Sequence, residues 1–79
     1  MKLHDLLSIM KPYGVVMVSD NHSNEVFYGE VKLAFAVVDT RYMDATVRSL
    51  EPEYAHGWGK TGIAIIVEPM TRAERMDHE

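Results

Sequence analysis

The chain has 79 residues, 47% of them hydrophobic and 25% charged, which suits one ordinary globular domain and argues against a disordered or fibrous chain. It carries a net charge of -4 and no cysteine, so a disulfide framework, a thiolate metal site and a cysteine nucleophile are excluded. No apolar run approaches the roughly 18 residues of a membrane span, and His4, Asp5 and Ser8 break the continuous run that a signal peptide needs, so a soluble, cytoplasmic protein is expected.

In chain order, "KLHDLLSIMK" sets Leu3, Leu6, Leu7 and Met10 at helical spacing, with His4, Asp5, Ser8 and Lys11 on the other face. This predicts an amphipathic helix of about three turns, stopped by the proline and glycine of "KPYG". Asp5 in its first half and Lys11 near its end follow the order the helix dipole favours. "GVVMVSD" then reads as a strand, the polar cluster from Asp20 to Asn24 as a turn, and "EVFYGEV" as a second strand completing an antiparallel hairpin.

The middle segment, "VKLAFAVVDTRYMDA", is ambiguous. Val31, Phe35 and Val38 fit one helical stripe and Leu33, Ala36 and Val37 another, which predicts a short helix or irregular crossover ending near Asp39. The alternative is one long strand from Glu25 to Val38. "TVRSLEPEY" and "TGIAIIVEP" read as two further strands around the loop "AHGWGK". Ile63, Ile65 and Val67 alternate with Ala64, Ile66 and Glu68, so the last strand belongs in the middle of the sheet. Pro52 has no N–H to donate and places the preceding strand at an edge or bulge.

Residues 1–69 therefore form a single α+β domain: an N-terminal helix packed on a roughly four-stranded antiparallel sheet, with the short helix or crossover in its middle. Residues 70–79 are expected to form a polar tail, frayed or partly helical, with Thr71 and Glu74 at capping-box spacing.

Gly59-Lys60-Thr61 ends like a phosphate-binding loop, but Tyr54 stands where the loop's first glycine belongs, and a strand follows instead of a helix. The glycines of "HGWGKTG" are better explained by the bend between two strands. His4, His22, His56 and His78 lie in four different segments, and no metal-ligand spacing links them. Ser19, Asp20 and His22 hold the residue types of a hydrolytic triad, but neighbours at a strand end and its turn do not point at one another. No catalytic residues, metal or cofactor are expected.

What remains is a charge pattern and an aromatic loop. Seven acids, Asp20, Glu25, Glu30, Asp39, Asp44, Glu51 and Glu53, stand against the three bases Lys32, Arg41 and Arg48 in the segment from Asp20 to Glu53. That sign disfavours direct nucleic-acid binding and suits a basic protein partner, although acidity of this degree also serves solubility alone. Trp58, at the tip of a hairpin between two glycines, either folds back over its own sheet or is exposed as a binding anchor. The candidate partner-binding residues are Trp58, Tyr54, His56, Glu51, Glu53, Asp39 and Asp44.

The layout of "LHDLLSIM", "VVMVSD", "EVFYGEVKLAF", "YMDATVRSLEP" and "GIAIIVE", covering about residues 2 to 68, resembles short proteins encoded by phages and mobile elements, a group that includes anti-CRISPR inhibitors. The resemblance implies a protein that binds a host protein in the host cytoplasm, such as a CRISPR effector component, at a surface that otherwise grips nucleic acid. It supplies no motif from which binding residues could be carried over. The other expectation is a self-associating structural or regulatory domain, since the last strand is apolar on both faces; the chain would then be a homodimer and otherwise a monomer.

Overall fold

The computed structural model describes residues 1–69, and the expected C-terminal tail lies outside them. Seven elements follow in order: α1 (Leu3–Ser8), β1 (Val15–Asp20), β2 (Glu25–Glu30), α2 (Val31–Val37), α3 (Thr40–Met43), β3 (Thr46–Ala55) and β4 (Lys60–Glu68). The fold is α+β, and the strands form one sheet in the order β2-β1-β4-β3.

The sheet is mixed, which corrects the purely antiparallel expectation. Both hairpins, β1 with β2 and β3 with β4, are antiparallel, but the central pair β1 and β4 run parallel. A parallel pair needs a crossover of a dozen or more residues, and the chain from β2 through α2 and α3 to β3 supplies it. The choice of β4 as β1's neighbour follows from composition. These are the two most apolar strands and profit most from a central place, whereas Pro52 and the charges of β3 suit an edge.

The first helix is shorter than its stripe, ending at Ser8 rather than after three turns. The N–H groups of Ile9 and Met10 donate to the carbonyls of Leu6 and Leu7, tightening the end to three-residue spacing and leaving Lys11 outside the helix. The middle segment is helical from Val31 to Val37, so the long-strand alternative falls away. Its start is fixed by the preceding loop: the N–H groups of Val31 and Lys32, which no helix turn can satisfy, donate to the carbonyls of Gly14 and Pro12 at 2.8 and 2.9 Å. Val31 and Ala34 face the core, while Leu33, Phe35 and Val37 are exposed.

The three described helices all serve one face of the sheet. Val16, Val18, Ile65 and Val67 pack there with Leu3, Leu6 and Leu7 of α1, Val31 and Ala34 of α2, and Met43 of α3. The N-terminus is stitched to the same layer, for Leu3 N–H donates to Ala45 O and Val47 N–H to Met1 O, covering the first residues of the β3 edge.

Candidate functional site

Residues directly opposite on neighbouring strands share a face, so the register assigns each side chain to one side of the sheet. Opposite the helices lie two rows, Tyr28-Met17-Ala64-Glu51 and Glu25-Ser19-Ile66-Ser49, followed by Gly62 beside Glu53. No described helix covers them. Ile66 is 41% exposed, whereas its neighbours Ile65 and Val67, facing the helices, are fully buried.

The half of this face nearer the Asp20 turn is a shallow groove of about 250 Å³. Met17, Ser19, Ala64 and Ile66 form its floor, with Glu51 and Glu53 along one rim and Ser23 at its end. Arg48 is ion-paired with Glu68. Among the described residues neither Glu51 nor Glu53 has a cationic partner.

The turn at the groove's end is tied by the side chain that opens it. One oxygen of the Asp20 carboxylate accepts from the backbone N–H groups of His22 and Asn24 at 2.8 and 2.9 Å, and the other accepts from the Asn24 side-chain amide at 3.1 Å. The Asn24 backbone donor is the main reason that this carboxyl stays ionised below its ordinary value of 3.8; the Asn24 amide, the His22 N–H and the His22 charge add to it, outweighing burial. Asp20 thus holds the turn together, a role unlike that of a triad acid.

The aromatic loop is clasped to its own sheet. Gly57 N–H donates to the Tyr28 hydroxyl of β2 at 3.2 Å, and the Trp58 ring lies close enough to Gly29 that a Cβ there would stand 3.7 Å from it. Trp58 is 42% exposed, so the indole both packs and shows a flank. Gly59 completes the bend with φ at 65°, which glycine adopts without strain. Lys60 opens β4, and its amine donates to the Tyr13 carbonyl at 3.2 Å.

Tyr54 and His56 stack edge to face at 4.9 Å beside this loop. Glu51 and Glu53 join the groove, as described. Asp39 and Asp44 are held elsewhere: Asp39 caps the start of α3 by accepting from Arg41 N–H at 2.8 Å, and Asp44 ends the same helix. That helix precedes the opposite end of β3 from the loop, and ten strand residues span roughly 30 Å. The seven candidates are therefore not one patch. The floor residues Met17, Ser19, Ala64 and Ile66 were not among them, although the two-sided apolarity of β4 was the signal for an uncovered face.

Among the described residues, no three His, Asp or Glu side chains gather to hold a metal ion, and no helix is long and apolar enough to cross a membrane. Comparisons of the chain with protein-family models, curated proteins and solved structures found no match.

Proposed function

We propose that the protein is a non-enzymatic binding module that docks on a basic, nucleic-acid-handling host protein and inhibits it, in the manner of the anti-CRISPR proteins its layout resembles. The observation that carries this reading is the rim of Glu51 and Glu53, exposed carboxylates beside an uncovered sheet face whose nearby arginine is already committed to Glu68. Such a rim attracts cations over several ångströms and repels phosphate, so its complement is a basic protein surface, and surfaces that grip nucleic acid are of that kind. The groove is too open to shield a reaction from water, which favours docking over catalysis.

The test is affinity capture from a bacterial lysate at low and at high salt, with DNA and RNA added as competitors. The expected outcome is a nucleic-acid-binding protein that is retained at low salt and released by either competitor. Retention of nothing at low salt, or of proteins that nucleic acid does not displace, would count against the proposal.

Self-association is the second reading, favoured by the exposed Ile66 and by Leu33, Phe35 and Val37 on α2. Sedimentation decides it: a chain that stays monomeric at high concentration removes this option.

A further inference from the structure

We infer that the occupant of the uncovered sheet face is a cationic amphipathic helix of the partner, lying over β1 and β4 with basic side chains on its flanks. The inference rests on the proposed binding function and names the chemistry of the segment that is bound.

Three observations lead to it. The first is width. β2 and β3 are separated by three strand spacings, roughly 14 Å, and a helix with its side chains is about 10–12 Å across, so one helix fills the face between the edge strands. The second concerns the backbone. An extended segment laid flat on a sheet face would leave its own N–H and C=O groups without partners, whereas a helix satisfies them internally. The opposite face of the same sheet already uses that solution, with α1 and α2 packed against it.

The third is the arrangement of charge. The floor residues Met17, Ala64 and Ile66 are apolar, and the acids stand to either side, Glu51 and Glu53 on β3 and Glu25 opposite Ser19 on β2. A helix placing an apolar stripe on that floor presents its flanking positions to the carboxylates on both sides. Lysine and arginine fit those flanks, because their long stems pack on apolar surface while the charged ends reach the rims. A second copy of this chain would bring more acids than bases to the same rims, and nucleic acid would bring phosphates.

The experiment uses the whole protein and a synthetic 14-residue peptide with leucine at helical spacing and lysine elsewhere, together with a counterpart in which glutamate replaces each lysine. Amide chemical shifts and circular dichroism are recorded during titration. The lysine peptide should perturb the amides of Met17, Ser19, Ala64 and Ile66 and become helical on binding, and the glutamate peptide should do neither. The double variant Glu51→Gln, Glu53→Gln should bind about tenfold more weakly at low salt, the size expected for two exposed ion pairs. Ile66→Lys should abolish binding, and its melting curve reports whether it still folds; if it does not, the glutamine variant carries the test.

Shifts mapping to Leu33, Phe35 and Val37 would overturn the inference, as would equal affinity of the double variant or binding without gain of helix. The two proposals fail separately. Lysate capture that is unchanged in the double variant leaves the binding function standing and removes this face. A peptide that binds here while the lysate yields no nucleic-acid-handling protein removes the partner class and keeps the face.

Discussion

The two faces of this sheet are made from alternate residues of the same four strands, and they differ in what covers them. Toward the helices stand Val16, Val18, Ile65 and Val67, all buried; away from them stand Met17, Ser19, Ala64 and Ile66 beside the acids of β3. A single step along β4, from Ile65 to Ile66, passes from a fully buried isoleucine to one that is 41% exposed. Stability should therefore concentrate on one side of the sheet and sensitivity of binding on the other.

The largest test of that division is Ile65→Ala. It opens a cavity among Val18, Val67 and the helices, and should cost about 2–5 kcal/mol, measured by denaturant unfolding. A loss no larger than that of Ile66→Ala would break the comparison. Next comes Gly62→Ala, on the other face but controlled by backbone: the new Cβ would stand 2.6 Å from the Val15 carbonyl oxygen, so β1 and β4 must separate. A cost of about 1–3 kcal/mol is expected, with the groove distorted as well.

Trp58→Ala should lower stability by about 1–2 kcal/mol, since the indole packs on β2 at Gly29 while much of its surface remains exposed. An unchanged melting temperature combined with lost partner binding would return Trp58 to the role of an anchor. The same clasp is accessible from its other end, because Tyr28 contributes the hydroxyl that Gly57 N–H uses.

Much of this architecture was legible because local pattern and tertiary need agree in it. The alternation of Ile63, Ile65 and Val67 identified a central strand, and Pro52 an edge. Parallel pairing of β1 with β4 was not legible, since nothing in a hairpin's own residues says which of its strands meets a distant neighbour. Nor was the start of α2, fixed by carbonyls of residues 12 and 14 that are distant in sequence from Val31. Of the residues marked out by charge, Glu51 and Glu53 line the groove while Asp39 and Asp44 cap α3, because a count of acids along the chain does not distinguish a helix cap from a groove rim.

A smaller effect is expected from pH at the turn that closes the groove. The Asp20 carboxyl is held below 3.8 chiefly by the Asn24 N–H, so its folded value lies under its unfolded one. Its contribution to stability is then fully present above about pH 3.8 and is lost as pH falls through the folded value. Asp20→Asn should flatten the stability curve in that acid window relative to the parent chain. Parallel curves for the two proteins would contradict the assignment.

The smallest stability effect and the largest contrast belong to Glu51→Gln with Glu53→Gln. Both side chains are exposed on an edge strand and have no cationic partner among the described residues, so removing their charge breaks no ion pair there. They also stand on one face two residues apart, where like charges repel weakly across solvent. The unfolding free energy should accordingly stay within about 0.5 kcal/mol of the parent, and any change should be a slight gain at low salt that vanishes as salt screens the pair. A loss greater than that would mean that the carboxylates hold the fold together, and the division of labour between the two faces would fail at the residues on which the binding proposal depends.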